Sequence, residues 1–407
     1  MTSVRRERRV AITGLGLVSP AGGDLGRFWD ALYTGTSFIK PLEHFAIAEL
    51  PGLVGAEADL TEDPWAEWGT PARRAVGLAV CAGRRALRDA GLTAASPALT
   101  GAGVVLGTTL GEERQVGAFN EQRAQDAQAT SWGELFECSD NHRIAAAVAR
   151  DVGATGPVLM NATACSSGNA AIAWGYDLVA SGGAELVLVG GVDTLTRLTY
   201  CGFRRMGALS KSFLKPFHRE RDGVSFGEGA AVLVLESFEH AERRGARCRA
   251  ELLGFGISND AYHLTAPEPT GEGFARAALQ ALATSGASAD EIDYVSAHGT
   301  GTQYNDAGEV LALKAVLGAR CTQVPVSSIK SMLGHTNGAA SAIEAIACVL
   351  MLERQAVLPT ASLTDPDPAF GLDFVPLKGR PAALTTCLNM AAGFGGFNVS
   401  TLIRRMP

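Results

Sequence analysis

A cysteine and two histidines in this chain each stand where a short apolar run gives way to small residues. Cys165 follows Asn161–Ala164 and heads the Ala-rich stretch that runs on through Ala173. A thiol at a helix N-terminus faces the positive end of the helix dipole and free backbone N–H groups, which lower its pKa and favour thiolate. Small flanking residues leave room for a substrate. The competing reading is a buried structural thiol, and it suits most of the other seven cysteines: Cys81, Cys138, Cys201, Cys248, Cys321, Cys348 and Cys387. No CxxC pair and no Cys/His cluster has zinc-ligand spacing, so no metal is expected. His298 closes Val295-Ser296-Ala297 and is followed by Gly299-Thr300-Gly301-Thr302. Strand C-terminal ends are where open α/β sheets place their active residues. His335 closes Ser327–Gly334, with Lys330 five residues before it. A lysine among small residues, beside a histidine and an apolar helix, reads as a partly buried partner for a carboxylate. Glu309 or Asp306 could supply that carboxylate, and structural ion pairing is at least as good a reading of Lys330 and Glu309 as direct catalysis.

Near the C-terminus, Ala392-Gly393-Phe394-Gly395-Gly396-Phe397-Asn398 sets glycine on both sides of Phe394. The backbone can turn tightly there and present N–H groups to an oxyanion, although a bulge in a final hairpin would use the same residues. One cysteine and two histidines on such junctions suggest thiol-ester chemistry. A thiolate holds an acyl group, two neutral imidazoles hydrogen-bond a developing enolate, and backbone N–H groups hold a tetrahedral oxyanion. A cysteine protease would leave one histidine idle. Two motifs drop out. Gly14-x-Gly16-x-x-Ser19 is a poor dinucleotide fingerprint, because its third position is serine and Pro20 follows. Ser166–Ser167 lacks the GxSxG elbow of a serine hydrolase.

These residues need a frame of alternating strands and helices, which points to an α/β fold. Val10–Thr13, Gly103–Gly107, Leu186–Val189, Ala230–Leu235, Tyr294–Ala297 and Val324–Val326 read as buried strands. Arg27–Thr34, Ala72–Ala90, Phe274–Thr284, Asp306–Leu317 and Gly338–Leu352 read as helices. The loop Glu43–Trp68 and the stretch Leu363–Pro368 are the most irregular parts. Ala164–Ala173 resembles Gly334–Ile343: each sets a reactive side chain just before a polar pair, a glycine and an Ala-rich helix. The match hints at an internal duplication with two central, buried helices; chance likeness between Ala-rich helices is the alternative. The halves are placed at residues 1–253, carrying the cysteine, and 254–407, carrying the two histidines.

Composition narrows the function classes. The 407 residues are 47% hydrophobic and 19% charged, enough apolar material for a large core and too much for long disorder. A net charge of −7 argues against general binding of nucleic acid or anionic membrane. The basic Met1–Val10 is followed by an apolar stretch interrupted by Thr13, Gly14 and Gly16, which reads as a first strand rather than a signal peptide. No apolar run reaches the roughly 18–20 residues of a membrane span. Free cysteines in a chain with an adequate core suit the cytoplasm.

The ordered motifs resemble those of the β-ketoacyl-acyl carrier protein synthases, the ketosynthases of fatty-acid and polyketide assembly. Ile12–Pro20 is similar to the family's opening strand and loop, and Thr163-Ala164-Cys165-Ser166-Ser167-Gly168 to its nucleophile motif. Pro216-Phe217, Arg221-Asp222-Gly223 and Gly227-Glu228-Gly229-Ala230 resemble its mid-chain signature. His298–Thr302 and Lys330-Ser331-x-x-Gly334-His335-Thr336 resemble its two histidine motifs, and Gly393-Phe394-Gly395-Gly396 its C-terminal loop. The resemblance runs nearly end to end. It implies a thiolase-like fold, five-layered αβαβα, with two pseudo-duplicated halves. It implies catalytic Cys165, His298 and His335, supported by Lys330 and Glu309. The N–H groups of Cys165 and Phe394 would form the oxyanion hole, with Phe394 also gating the acyl pocket. Thr300, Thr302, Leu110 and Phe203 would bind substrate.

The implied reaction is decarboxylative condensation of a Cys165-bound acyl chain with malonyl-acyl carrier protein, without a cofactor. The implied partners are an acyl carrier protein and either a second copy or a chain-length-factor-like subunit. Ser166–Ser167 is closer to polyketide-type enzymes, which favours a discrete type II ketosynthase of a specialised polyketide or polyene pathway over housekeeping fatty-acid elongation. A non-catalytic chain-length-factor-like subunit and an acyltransferase without condensation are the competing readings. Three departures concern the gate and pocket: His218 where the family usually has Asp, Ala391-Ala392 ahead of Gly393, and Phe397 where a small Thr or Ser is usual. An acidic carrier protein would need a basic mouth, for which Arg73, Arg74, Arg204, Arg205, Lys211 and Lys215 are candidates.

Overall fold

A computed structural model describes residues 8–43, 47, 50, 52–58, 73–126, 133 and 140–406. Cys138 and most of the loop Glu43–Trp68 lie outside them. Ten strands form the main sheet: β1 (Val10–Val18), β2 (Gly103–Gly107), β3 (Val158–Asn161), β4 (Leu186–Asp193), β5 (Gly229–Ser237), β6 (Ala250–Asn259), β7 (Tyr294–Ser296), β8 (Val326–Ser327), β9 (Thr386–Gly393) and β10 (Phe397–Arg405). Six helices matter to the site: α1 (Arg74–Asp89), α2 (His142–Val152), α3 (Ser167–Ala180), α4 (Glu272–Ser285), α5 (Gln303–Leu317) and α6 (Ala340–Arg354).

The strand order is β8-β7-β9-β10-β6-β1-β5-β4-β2-β3. Cut between β6 and β1, it becomes the same arrangement twice. In each five-strand half the first strand pairs antiparallel with the fifth, and the fifth antiparallel with the fourth. The fourth then runs parallel to the second and the second parallel to the third. The β1–β6 pairing that joins the halves involves only Val10–Ile12 against Ala250–Leu252. Residues 253 and 254 lie within β6.

Period-two alternation sorts the side chains into layers. Val105, Val187, Val189, Leu233 and Leu235 face the central helices α3 and α6, while Val104, Leu106, Leu186, Leu188, Val232 and Val234 face α1 and α2. On the other half Val295, Leu388, Met390 and Leu402 face α4 and α5. The outcome is α1/α2, sheet, α3/α6, sheet, α4/α5. In α6 every residue from Ala340 to Leu352 is buried, as expected of a helix apolar on all faces. Small residues allow α3 and α6 to approach: a Cβ on Gly168 would lie 2.8 Å from Ala342 N. Gly14 and Gly16 have a packing role too. Side chains there would strike the carbonyls of Ala86 and Ala82 on α1, at 2.4 and 2.1 Å.

The anticipated elements appear with moved ends. Pro325 has no N–H to give to a ladder, so the strand expected over Val324–Val326 forms at Val326–Ser327, while Pro325 still accepts from Val295 N at 3.0 Å. The first helix spans Leu25–Tyr33, started by Asp24, whose carboxylate accepts from Arg27 N at 2.8 Å. Among the described residues no helix is long and apolar enough to cross a membrane.

Candidate active site

Cys165 sits in a single 3-10 turn, Ala164–Ser166, between β3 and α3. Ala164 has φ +52°, a left-handed conformation that costs a non-glycine residue roughly 1–2 kcal/mol. The two serines after the cysteine hold the turn. Ser166 Oγ donates to Thr163 O at 2.7 Å, and Ser167 Oγ accepts from Thr163 N at 2.9 Å while lying 2.6 Å from Ala164 O and 3.0 Å from Thr108 O. The chain therefore uses them to aim the thiol rather than as nucleophiles. Burial pushes the thiol up to about 12, reinforced by Asp193 and opposed by Lys330. This corrects the expectation of a lowered pKa: a helix head is present, but desolvation outweighs it.

His298 follows the short strand β7, and α5 returns to hold its backbone. Glu309 accepts from His298 N at 2.5 Å and Gly299 N at 2.8 Å. Asp306 accepts from Thr300 N, Gly301 N and Phe217 N at 3.1, 3.2 and 2.8 Å. His335 is fixed on both sides, its N–H donating to Ser225 O at 2.8 Å and its carbonyl accepting from Gly227 N at 3.0 Å. Asn337 N donates to His335 Nδ1 at 3.2 Å, which leaves the ring proton on Nε2. The two imidazoles meet edge to face, 5.5 Å between centroids and 82° between planes. His298 Nδ1 is buried with no hydrogen-bond partner among the described residues.

Both imidazoles are held well below the usual value. Burial is the main cause for each, followed by the Lys330 ammonium. Lys330 itself is buried; its Nζ donates to His298 O at 2.6 Å and pairs with the Glu344 carboxylate on α6. The carboxylate sought in Glu309 or Asp306 is thus Glu344. Those two bind backbone N–H groups instead. Burial raises Glu309 to about 8 and Glu344 to about 7, the latter opposed by Lys330. Glu344 was not anticipated. Its signal was its position, the one charged residue in the otherwise apolar and small-residue run Ala340–Leu352.

A cavity of about 340 Å³ connects these parts. Cys165, His298, His335, Thr300, Thr302, Phe203 and Phe394 all line it. Thr300 and Thr302 share a hydrogen bond of 3.0 Å between hydroxyls. Phe394 tips the β9–β10 hairpin and stacks on Phe203, 5.2 Å between centroids and 9° between planes. The hairpin reaches the nucleophile's backbone, for a Cβ on Gly393 would lie 3.1 Å from Cys165 N. Leu110 is outside this lining; its N–H instead donates to Asp193 at 3.0 Å. Of the proposed basic mouth, Arg204 and Arg205 are exposed and directly precede Met206–Ala208 of the cavity wall. Arg74 is engaged elsewhere, its Nε donating to the buried Glu228 at 2.9 Å. Asp193 was also not anticipated. It is buried and accepts from Thr108 Oγ1, Thr109 N and Gly338 N at 2.8, 2.7 and 2.6 Å, tying β4 to the turn ahead of α6.

Comparison with known proteins agrees with this geometry. Residues 7–241 match the model of the beta-ketoacyl synthase N-terminal domain, and residues 249–364 that of the C-terminal domain. The chain is 37% identical to the tetracenomycin polyketide synthase ketoacyl synthase alpha subunit of Streptomyces glaucescens, over 98% of this chain and 97% of that protein. It is 34% identical to the 3-oxoacyl-[acyl-carrier-protein] synthase 2 of a Synechocystis species, over 98% of each. Among solved structures, the ishigamide ketosynthase/chain length factor matches with a TM-score of 0.92 at 35% identity, covering 98% of this chain and 100% of that one. A type II ketosynthase solved with its acyl-carrier protein and bound to the hexaketide matches with a TM-score of 0.88 at 31% identity, with the same coverage.

Proposed function

The chain belongs to the β-ketoacyl synthase family, and from that premise we propose how its own residues perform the family's condensation. The enzyme joins an acyl chain to the two-carbon unit of malonyl-acyl carrier protein, in a polyketide setting. Its partners are an acyl carrier protein and a second ketosynthase-fold subunit. The two sheet halves are the structural units, and their boundary is best set ahead of Ala250, where β6 starts, rather than at 253/254. We place the reaction in the cytoplasm, where the Cys165 thiol stays reduced.

In the first half-reaction Cys165 Sγ attacks the carrier thioester. The carbonyl oxygen, negative in the tetrahedral intermediate, is held by the N–H groups of Cys165 and Phe394. The pantetheine thiolate leaves and takes up the proton given up by Cys165, so one thioester is exchanged for another. In the second, malonyl-carrier protein loses CO2 and the bond's electron pair becomes an enolate. His335 Nε2–H donates to its oxygen. His298, which lines the same cavity, supplies the other donor. The enolate carbon attacks the Cys165 thioester, and collapse releases the β-ketoacyl-carrier protein and the Cys165 thiolate, which takes a proton. Thr300, Thr302 and Phe203 orient the substrate. Lys330, Glu344 and Glu309 position the histidines. Holding both thioesters in one cavity supplies proximity, and fixed neutral donors stabilise charge as it forms.

The observation that carries this reading is the convergence of one thiol and two neutral imidazoles on a single cavity walled in part by the Phe394 hairpin. Intact-protein mass after mixing with an acyl-acyl carrier protein tests it, with Cys165→Ala alongside and malonyl-carrier protein added afterwards. An adduct that requires Cys165 and is then discharged into a product two carbons longer is expected. An adduct that never elongates would reduce the enzyme to acyl transfer, and no adduct with any carrier would make it a non-catalytic subunit.

A further inference from the structure

We propose that Phe397, the first residue of β10, sets how readily the Phe394 hairpin opens. The inference rests on the reading of Phe394 as a gate. The hairpin tip is Phe394-Gly395-Gly396, between the paired positions Gly393 and Phe397. Gly395 and Gly396 have φ of +85° and +77°, and as glycines they can absorb a change of chain direction that other residues resist. From one side, backbone and side-chain bonds hold the tip: Gly395 N donates to Leu264 O at 2.8 Å, Asn259 Nδ2 to Gly395 O at 2.9 Å and Asp260 N to Gly396 O at 2.9 Å. From the cavity side, Phe394 stacks on Phe203.

Phe397 adds a third restraint, of another kind. Its ring lies across Gly395: a Cβ on that glycine would be 3.0 Å from Phe397 Cε2 and 3.3 Å from Cδ2. Phe397 is 37% exposed, so its ring is not part of the buried core of the sheet. Turning Gly395 to lift Phe394 off Phe203 drives the glycine's backbone toward the ring, which must swing out first. A small side chain at 397 returns to Gly395 the conformations that the ring removes. Phe397 is therefore a positioning residue, acting through the gate on the traffic of acyl chains to Cys165 and touching no reacting atom.

The test separates loading from condensation. Acylation of Cys165 by acyl-acyl carrier protein is followed by rapid quench and intact mass, and condensation is measured separately from preloaded enzyme. The enzymes are the parent, Phe397→Ser, Phe394→Ala and the double variant. Phe397→Ser is expected to load about three- to tenfold faster. Its condensation rate should stay within about twofold of the parent. Phe394→Ala should also load faster, and the double variant no faster than Phe394→Ala alone. If Phe394→Ala loads faster while Phe397→Ser does not, the brake is refuted and the gate stands. If Phe394→Ala leaves loading unchanged, the gate itself fails and the brake with it. A Phe397→Ser gain that persists in full in the Phe394→Ala background puts the ring's effect elsewhere and overturns the proposal. Should Phe397→Ser not fold, Phe397→Leu carries the same comparison, with a smaller gain expected.

Discussion

The turns that lead into α3 and α6 are one piece of backbone used twice and put to different ends. Each is a 3-10 turn of three residues, Ala164–Ser166 and Asn337–Ala339, whose first residue is a non-glycine in the left-handed region, φ +52° and +49°. Each runs directly into a buried central helix. The difference lies at the second position. In the first half it is Cys165, whose side chain is kept for chemistry. In the second half it is Gly338, where a Cβ would lie 2.7 Å from both Asp193 Oδ2 and Thr109 N, and whose N–H donates to Asp193 at 2.6 Å. One half kept the nucleophile and the other gave the equivalent position to packing. The second half's chemistry instead stands ahead of its turn, on His298 and His335. This is why the two segments resemble each other by letter with Cys165 opposite His335, whereas the backbone matches Ala164 to Asn337, three residues along.

Removing each half's chemistry should produce the largest and most unlike effects. Cys165→Ala should abolish acyl adduct formation altogether. His335→Ala should leave the adduct and slow condensation by about 10²–10³, the usual consequence of losing one donor to a developing oxyanion. Loading and condensation measured separately report both. Equal losses of both steps in His335→Ala would mean that the halves do not divide the work in this way.

Gly338→Ala addresses the packing half of the contrast. The added methyl meets backbone at Thr108 and Thr109 as well as the Asp193 carboxylate, and none of these is the free end of a flexible chain. Overpacking of this kind costs about 1–3 kcal/mol. The midpoint of urea unfolding should fall accordingly. A midpoint unchanged from the parent would leave Gly338 without the role given to it.

The pH dependence should also divide between the halves. The Cys165 thiol is pushed up to about 12, so the fraction of thiolate, and with it the rate of loading, should climb across pH 6–9. His298 and His335 are held well below 6.5, so condensation from preloaded enzyme should stay level as pH falls through 6.5. Stability does not stay level over that range. The unfolded chain takes up protons on these histidines near pH 6.5 and the folded chain does not. Their contribution is therefore full above 6.5 and is lost progressively as the pH drops below it. A condensation rate that halves at 6.5 would show imidazoles titrating like exposed ones.

How far the letters carried this picture depended on whether a residue's partner was close along the chain. Cys165, His298 and His335 each end a short apolar run, so junction and reactive group are visible together. The partner of Lys330 was not visible, because Glu309, Asp306 and Glu344 are all within plausible reach until the helices are placed, and α6 is the one that presents its carboxylate. β9 gave no strong strand signal either. Thr386–Gly393 ends in Ala-Ala-Gly, which have weak strand preference, and carries Asn389 in a fully buried position. That asparagine is legible only with its partners, Asn169 of α3 and Ser341 of α6: Asn389 Nδ2 donates to Asn169 Oδ1 and to Ser341 O, both at 2.9 Å. The low thiol pKa expected at a helix head failed for a related reason, since burial of a side chain by distant segments leaves no mark in its own neighbourhood of the sequence.

The smallest expected effect is the sharpest probe of the duplicated turn. Ala164 and Asn337 adopt nearly the same φ, but alanine is strained there by about 1–2 kcal/mol and asparagine by much less, because its short polar side chain tolerates the left-handed region. Replacement by glycine removes the strain and adds backbone entropy to the unfolded state, a cost of about 0.5–1 kcal/mol. Ala164→Gly should therefore gain up to about 1 kcal/mol, while Asn337→Gly should be neutral or slightly destabilising, as read from paired urea unfolding curves. Activity should split in the opposite sense. The strained alanine aims Cys165, so Ala164→Gly should load acyl chains more slowly although it is the more stable protein. If both variants shift stability equally, the two turns are not held by the same backbone strain, and the likeness of their φ values is geometric only.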